Sequence, residues 1–184
     1  MKKIVLTFGL ISGAIMIGMF VLTMPFHDRI SPETGMVIGY TSMVAASLLV
    51  YFGVRRYRDT VAGGSIGFRR ALGVGALIAA VSSLLYALAW QVIFFGFMPD
   101  YVEKYQARMR ERERAAGATA AQLEAKRVED AKFAEMYRNP LVNIAITLLE
   151  PLPVGVLAVL VTAAMLRRRR EADGVRSGAA RATG

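Results

Sequence analysis

The sequence predicts an all-α membrane protein with four transmembrane helices and an extramembrane helical hairpin between the third and the fourth. The first observation is composition: 55% of the 184 residues are hydrophobic and only 20% are charged, against about 25% charged residues in an average soluble domain. The second is distribution, because the apolar residues collect in four blocks, each long enough as a helix to cross about 30 Å of hydrocarbon. The third is the lack of short alternating segments typical of a membrane barrel, which leaves helices as the form that satisfies the backbone in lipid.

The first two spans, residues 4–24 and 34–54, contain no charged residue. Lys2 and Lys3 precede the first span as in a signal peptide, but its apolar run is about twice the usual 7–15 residues and no small-residue cleavage site follows it. We therefore expect a retained span. Gly9 and Gly13 have the GxxxG spacing that lets a second helix approach closely.

The third span, residues 71–98, also lacks charge and carries a small residue at every fourth position. Such a row allows close helix packing in lipid. It is compatible with homodimerisation or with packing inside a four-helix bundle, and we favour the bundle. The row consists of Ala71, Gly75, Ala79, Ser83 and Ala87.

The hairpin is predicted over residues 99–140. Strong helix formers and mixed charges at helical spacing indicate a first helix. Gly117 interrupts the pattern, and Thr119 with Gln122 has capping-box spacing for a second helix. Asn139 and Pro140 close the segment, because the residue before proline avoids the α region. The hairpin either binds a protein partner or lies solvated over the span ends, and we favour the second interpretation.

The fourth span, residues 141–166, contains one charged residue, Glu150. At 1.5 Å per residue, Gln91 lies roughly 10 Å and Glu150 roughly 13 Å below the same membrane surface. Pro151 and Pro153 remove two amide donors and predict a helix kink beside the acid. The predicted intramembrane polar cluster consists of Glu150, Gln91, Tyr40, Ser42 and Thr147.

A carboxylate at this depth needs a partner or must take up a proton. A broken helix beside an acid is typical of transporter ion sites. The other interpretation, which we favour, is a protonated Glu150 that is hydrogen-bonded to Gln91 or a tyrosine and stabilises the kink.

Basic residues predict the orientation. The amino-terminus, the second loop and the tail are basic, whereas the first loop has only Arg29, so the positive-inside rule places both termini in the cytoplasm of a bacterial inner membrane. The same arginines are expected to contact anionic lipid headgroups. Nucleic-acid binding explains them less well, because orientation already requires them. They are Arg55, Arg56, Arg58, Arg69, Arg70, Arg167 and Arg168, the last two opening a basic tail, residues 167–184, that is predicted to be disordered.

Several chemistries are excluded or unexpected. The chain has no cysteine and one histidine, His27, so disulfides, thiolate metal sites and cysteine nucleophiles are excluded. No nucleophile–base set or metal cluster is visible. We therefore expect neither catalysis nor a cofactor.

The segment from Tyr51 to Gly75, YFGVRRYRDTVAGGSIGFRRALGVG, resembles the central signature of the DUF4199 family of bacterial integral membrane proteins. The similarity extends to the start of the third loop at residues 99–101, its Glu/Arg-rich body and its exit at residues 139–140. The resemblance implies the same four spans and supplies no catalytic residues, because the function of the family is unknown. The residues that carry it are Gly53, Tyr57, Arg58, Asp59, Gly63, Gly64, Phe68 and Ala71.

Together these observations favour a non-catalytic membrane protein that acts by interaction or as a scaffold, through the hairpin or the small-residue row. The partner would be another protein or a second copy of the chain. The alternative is a small proton- or ion-coupled transporter that uses Glu150.

Overall fold

The apolar blocks form long helices, since a continuous helix satisfies its own backbone in a lipid environment. A computed structural model describes residues 1–26 and 29–167 of the chain. Within those residues, four helical segments are long and apolar enough to cross a membrane, as predicted, and the secondary structure is helical apart from one isolated bridge between Ile66 and Arg167. The helices are α1 (Lys2–Thr23, followed by a 3-10 turn at Met24–Phe26), α2 (Pro32–Thr60), α3 (Phe68–Phe97), α4 (Tyr101–Ala115), α5 (Ala120–Tyr137), α6 (Pro140–Leu149) and α7 (Leu152–Leu166).

Side-chain caps define where several helices begin. Ser31 caps α2 by accepting from the Thr34 amide at 3.2 Å. The predicted capping box of α5 is confirmed, because Thr119 and Gln122 each accept a hydrogen bond from the other's backbone amide. Asn139 caps α6 by accepting from the first amides after Pro140. These caps satisfy amides that have no partner inside the helix.

The two glycines of α1 lie against α3. A Cβ atom added at Gly9 would stand 2.7 Å from the Cβ of Val81, and one at Gly13 would stand 3.0 Å from the carbonyl oxygen of Ser82. The first distance is shorter than side chains allow and the second is at the tight limit of real contacts, so the close approach of α1 and α3 favours glycine at both positions. Between them, Ser12 donates to the Ala46 carbonyl of α2 at 3.0 Å, so α2 is bonded to α1 at the place where α1 contacts α3.

The small-residue row of α3 packs inside the chain. A Cβ atom added at Gly75 would lie 3.3 Å from methyl groups of both Val50 on α2 and Val159 on α7. Ala71 and Ala87 have no exposed surface. Members of the row therefore contact other helices of the same chain.

The two ends of the spanning helices differ in packing. At one end, which we call the arginine end, the core contains Val54, Ile66, Ala71 and Ala163 with little or no exposed surface. At the opposite end, which we call the cavity end, aromatic side chains from α3 and α5 form a separate cluster around Trp90. The arginine end is filled, whereas the cavity end encloses open space, as described below.

The last span is broken at Glu150 and Pro151. Helix α7 packs against both α2 and α3, whereas α6 packs against α3 and makes no extensive contact with α2. A gap therefore remains between α2 and α6 at the cavity end, and we call it the lateral gap. Tyr40 and Met36, near the start of α2, are more than half exposed.

Helices α4 and α5 contact each other through polar groups. Gln106 donates to the Asp130 carbonyl at 3.1 Å, Lys126 pairs with Glu113 at 3.1 Å, and Arg110 forms an ion pair with Asp130. The turn between them contains Gly117 at φ +92°, a left-handed conformation that glycine adopts without strain.

Candidate functional site

A cavity of about 910 Å³ lies at the cavity end. Its walls come from the end of α1, the start of α2, the end of α3 and the region where α6 ends, and α4 and α5 contribute the remaining side. The lining is mainly apolar and aromatic and includes five methionines, among them Met16 on α1 and Met43 on α2. Methionine side chains adapt to ligands of irregular shape. A concave, largely apolar cavity of this size is within the range of small-molecule sites, about 300–1,000 Å³.

Glu150 lines this cavity at the break between α6 and α7. The Tyr86 hydroxyl of α3 donates to its Oε2 atom at 3.3 Å. Pro151 and Pro153 carry no amide hydrogen, so the carbonyls one turn earlier lose their usual helical partners. Glu150 thus lies beside a break in the helical hydrogen bonding and contacts the Tyr86 hydroxyl in a mostly apolar cavity.

A polar network lies beside the cavity, centred on Asn143, which has no exposed surface. Gln91 donates to Asn143 Oδ1 at 2.5 Å, and Asn143 Nδ2 donates to the Tyr137 carbonyl at 3.3 Å. Thr147 donates to the Asn143 carbonyl at 2.8 Å. The network fixes α6 against α3 and against the end of α5, because buried polar groups are costly to leave unpaired.

Trp90 connects this network to the aromatic wall of the cavity. Its indole nitrogen donates to the Tyr137 hydroxyl at 2.9 Å, and this hydroxyl is 3.5 Å from the Thr147 hydroxyl. Its ring packs edge-to-face against Phe20 with centroids 5.0 Å apart and against Tyr101 with centroids 5.2 Å apart. The hydrogen bond therefore holds the orientation of a ring that lines the cavity.

The structure divides the predicted polar cluster into two groups. Glu150, Tyr40 and Ser42 line the cavity, and Ser42 donates to the Gly39 carbonyl at 2.7 Å. Gln91 and Thr147 belong to the adjacent network instead. The hydrogen-bond partner of Glu150 is therefore Tyr86 and not Gln91. The sequence had left both a tyrosine and Gln91 open as partners.

Sequence reasoning did not identify Tyr86 and Tyr137 as members of this site. The signal for Tyr86 was present, since it lies one turn before Trp90 on the same face of α3. For Tyr137 there was no such signal, because its position depends on how α5 returns to the spanning helices.

Electrostatics on the α4 and α5 side of the cavity follow from ion pairs and burial. Glu113 raises the pKa of Lys126 by accepting its hydrogen bond, and Lys104 lowers the pKa of Asp100 by donating a hydrogen bond to its carboxylate. Burial raises the pKa of Tyr101 to about 12 and also raises the pKa of Tyr137. Both phenols therefore stay neutral at physiological pH.

One ion pair joins the α4–α5 region to the spanning helices directly: Arg112 of α4 pairs with Glu33 in the first turn of α2. Glu33 is adjacent to Pro32, which lines the cavity. This contact holds the end of α4 beside the start of α2.

The predicted headgroup arginines that the structure describes all lie at the arginine end. Most are exposed, and Arg58 is half-buried. Arg70 differs, because its Nε atom donates to the Tyr57 hydroxyl at 3.0 Å and its guanidinium stacks 5.3 Å above the same ring. Arg168 and the rest of the predicted tail lie outside the described residues. The exposed set is Arg55, Arg56, Arg69, Arg70 and Arg167.

Among residues 1–26 and 29–167, no group of three or more His, Cys, Asp or Glu side chains is placed to hold a metal ion. The side chains that line the cavity include carboxylates, a lysine and an arginine, together with phenols, an indole and thioethers. Such groups are suited to binding and to proton exchange.

The four apolar helices and the cavity between them define a multi-pass helical membrane protein. The chain belongs to the DUF4199 family, because the family model described as a protein of unknown function, DUF4199, matches residues 7–168. No curated protein and no solved structure matches the chain.

Proposed function

We propose that the protein is a non-catalytic membrane protein that acts by binding, and that its binding element is the 910 Å³ cavity. The observation that carries the proposal is the cavity itself, which combines an apolar, aromatic lining with a few polar groups. The small-residue row is a weaker candidate for the binding element, because its members contact α2 and α7 of the same chain.

A cavity-filling substitution tests this proposal. Gly39 lines the cavity, and a Cβ atom added there meets no atom within 4 Å. Gly39→Phe is therefore designed to fill part of the cavity, since the first atom of the new side chain meets no neighbour. Gly96→Phe is the matched control, since Gly96 lies near the same end of α3, has equally open surroundings and does not line the cavity.

The measurement is native mass spectrometry of each variant released from lipid nanodiscs, followed by solvent extraction and identification of bound small molecules. We expect a bound species in the wild-type protein and in Gly96→Phe that is depleted in Gly39→Phe. Equal occupancy of all three proteins, or no bound species in any, would contradict the proposal.

The proposed membrane arrangement is a four-helix bundle in the inner membrane, with the arginine end in the cytoplasm beside anionic headgroups and α4–α5 as an extramembrane hairpin outside. Its support is the positive-inside rule applied to the exposed arginines. Since the chain has no cysteine, single substitutions report sidedness. An impermeant maleimide should label Ala116→Cys on intact cells, and Ser65→Cys only after permeabilisation. The reverse pattern would overturn the orientation.

A second candidate function is a proton- or ion-coupled carrier that uses Glu150. It is favoured by the position of Glu150 in the cavity wall at a helix break. Proteoliposomes with an internal pH dye and an imposed pH gradient test it. Proton flux should fall in Glu150→Gln and persist in Glu124→Gln, an exposed carboxylate on α5. Equal flux in both variants would end this proposal.

A further inference from the structure

The charges around the cavity are unevenly distributed. Five of its described lining residues are charged, and four of them lie on α4 and α5. Of these four, Lys126 and Asp130 are held in ion pairs with Glu113 and Arg110. Glu150 is the one charged residue that the spanning helices contribute to the described lining. The membrane half of the cavity is therefore negative when Glu150 is ionised.

Aromatic rings line the same cavity as this carboxylate. Eight of the described lining residues are Phe, Tyr or Trp. Tyr86 contacts Glu150 through its hydroxyl, and Trp90 lies one turn further along the same face of α3. Edge-to-face packing of Trp90 with Phe20 and Tyr101 turns these rings in different directions. Aromatic ring faces attract cations, and cages of such rings recognise quaternary ammonium groups.

The two features together select for the charge of a ligand. A carboxylate in an apolar space is stabilised by a cation or by a proton. An anion would be repelled by Glu150, and a neutral molecule would leave the carboxylate uncompensated. A compact, strongly hydrated cation would lose its water on entering the mainly apolar lining. A cation whose charge is shielded by apolar groups avoids this cost.

The lateral gap gives such a ligand a route of entry. Tyr40 and Met36 line the cavity and are more than half exposed, so the cavity wall along the start of α2 is open to the surroundings of the helices. This side faces the bilayer if the four apolar helices span it. A molecule that partitions into the membrane can therefore reach the cavity without passing α4 and α5.

We propose that the cavity binds lipophilic organic cations, with Glu150 as the counter-ion and the aromatic wall around Trp90 as the cage. The inference rests on the proposed binding function and names its ligand class. It also predicts competition with protons, because a proton on Glu150 removes the charge that attracts the cation. The groups that face Glu150 from the neighbouring elements are Tyr86 on α3, Tyr101 on α4 and Tyr137 on α5, all phenols.

The test uses two probes of the same shape and opposite charge, tetraphenylphosphonium and tetraphenylborate. Trp90 is the single tryptophan in the chain and lines the cavity, so its fluorescence reports binding directly. Titrations are run on the full chain in detergent micelles, with empty micelles as blank. Gly39→Phe defines the signal that does not come from the cavity.

We expect saturable binding of the phosphonium and at least about tenfold weaker binding of the borate, a difference that loss of charge attraction and cation–π contact accounts for. Glu150→Gln should abolish this preference and its pH dependence, whereas Glu124→Gln should keep both. Tyr86→Phe keeps the ring and should bind like wild type, whereas Tyr86→Leu should weaken phosphonium binding by about three- to tenfold.

Different outcomes separate the inference from the function on which it rests. Borate that binds as tightly as phosphonium, or a preference that survives in Glu150→Gln, overturns the choice of cation. If the choice of cation is overturned but Gly39→Phe still weakens binding of the probes, the result supports the cavity as a binding element. No cavity-specific binding of either probe overturns the inference, while the native mass spectrometry decides the proposed function separately.

Discussion

Replacing Gly9 with alanine should push α1 away from α3. A Cβ atom at Gly9 would lie 2.7 Å from the Cβ of Val81, about 0.7 Å inside the 3.4 Å at which ordinary van der Waals contact begins. It would also lie 3.1 Å from the Ile78 carbonyl oxygen. A Cβ and a carbonyl belong to the rigid part of a helix, so neither can rotate away. Relief requires a shift of the whole helix, which also strains the Ser12 hydrogen bond to the Ala46 carbonyl.

The size of the effect follows from two opposing contributions. Overpacking of this kind costs about 1–3 kcal/mol, and the higher helix propensity of alanine returns roughly 1 kcal/mol. The expected net loss for Gly9→Ala is therefore up to about 2 kcal/mol. Gly13→Ala should behave similarly, because its Cβ atom would lie 3.0 Å from the Ser82 carbonyl oxygen. The double variant should lose less than the sum, since one helix shift relieves both clashes.

Gly18→Ala is the matched control on the same helix. A Cβ atom there meets nothing within 4 Å, so only the propensity gain remains and stability should stay constant or rise. The assay is equilibrium unfolding by SDS titration in mixed micelles, followed by far-UV circular dichroism. If Gly9→Ala and Gly13→Ala unfold at the same SDS fraction as Gly18→Ala, the close approach of α1 and α3 does not constrain these positions.

Three further predictions concern the cavity end. Trp90→Phe keeps a ring but removes the donor to the buried Tyr137 hydroxyl, so SDS unfolding should show a loss of about 1–3 kcal/mol, and an unchanged midpoint would contradict the bond. Asn143→Leu should lower the free energy of unfolding more than the double variant that also carries Gln91→Leu, because the single change leaves the Gln91 amide unpaired. Equal losses of stability in a double-mutant cycle would disprove that coupling. Burial raises the pKa of Tyr101 to about 12. The neutral phenol therefore contributes to the free energy of unfolding below pH ~10, and this contribution of up to roughly 2–3 kcal/mol is lost between about pH 10 and 12. Ultraviolet titration of the folded protein should show a phenol ionising near pH 12 that is missing in Tyr101→Phe.

The spans and their caps could be predicted from sequence because each depends on local signals. Four runs of apolar residues predicted the spanning helices, and the spacing of Thr119 and Gln122 predicted the start of α5. The helices extend beyond the apolar blocks, since α2 continues through Arg55 and Arg56 to Thr60. Arginine is a strong helix former, so charge ends the apolar block without ending the helix.

The cavity could not be predicted, because it depends on directions that helical periodicity does not give. Depth counting placed Gln91 and Glu150 in one layer, but it gave no angle between the two helices. The structure turns Gln91 toward Asn143 and leaves Glu150 with Tyr86. The break at Pro151 was visible in the sequence, whereas the separation of α6 from α2 follows from how α7 packs below it.

The arginine end is closely packed and the cavity end is hollow, so the two ends of the spanning helices should differ in how easily they deform. Close-packed interiors resist compression, so the half of each helix around Val54 and Ala163 behaves as a stiff block. The half around the 910 Å³ space has room to contract or widen. A lateral load on the helices would therefore be absorbed at the cavity end, as a change in the shape of the cavity.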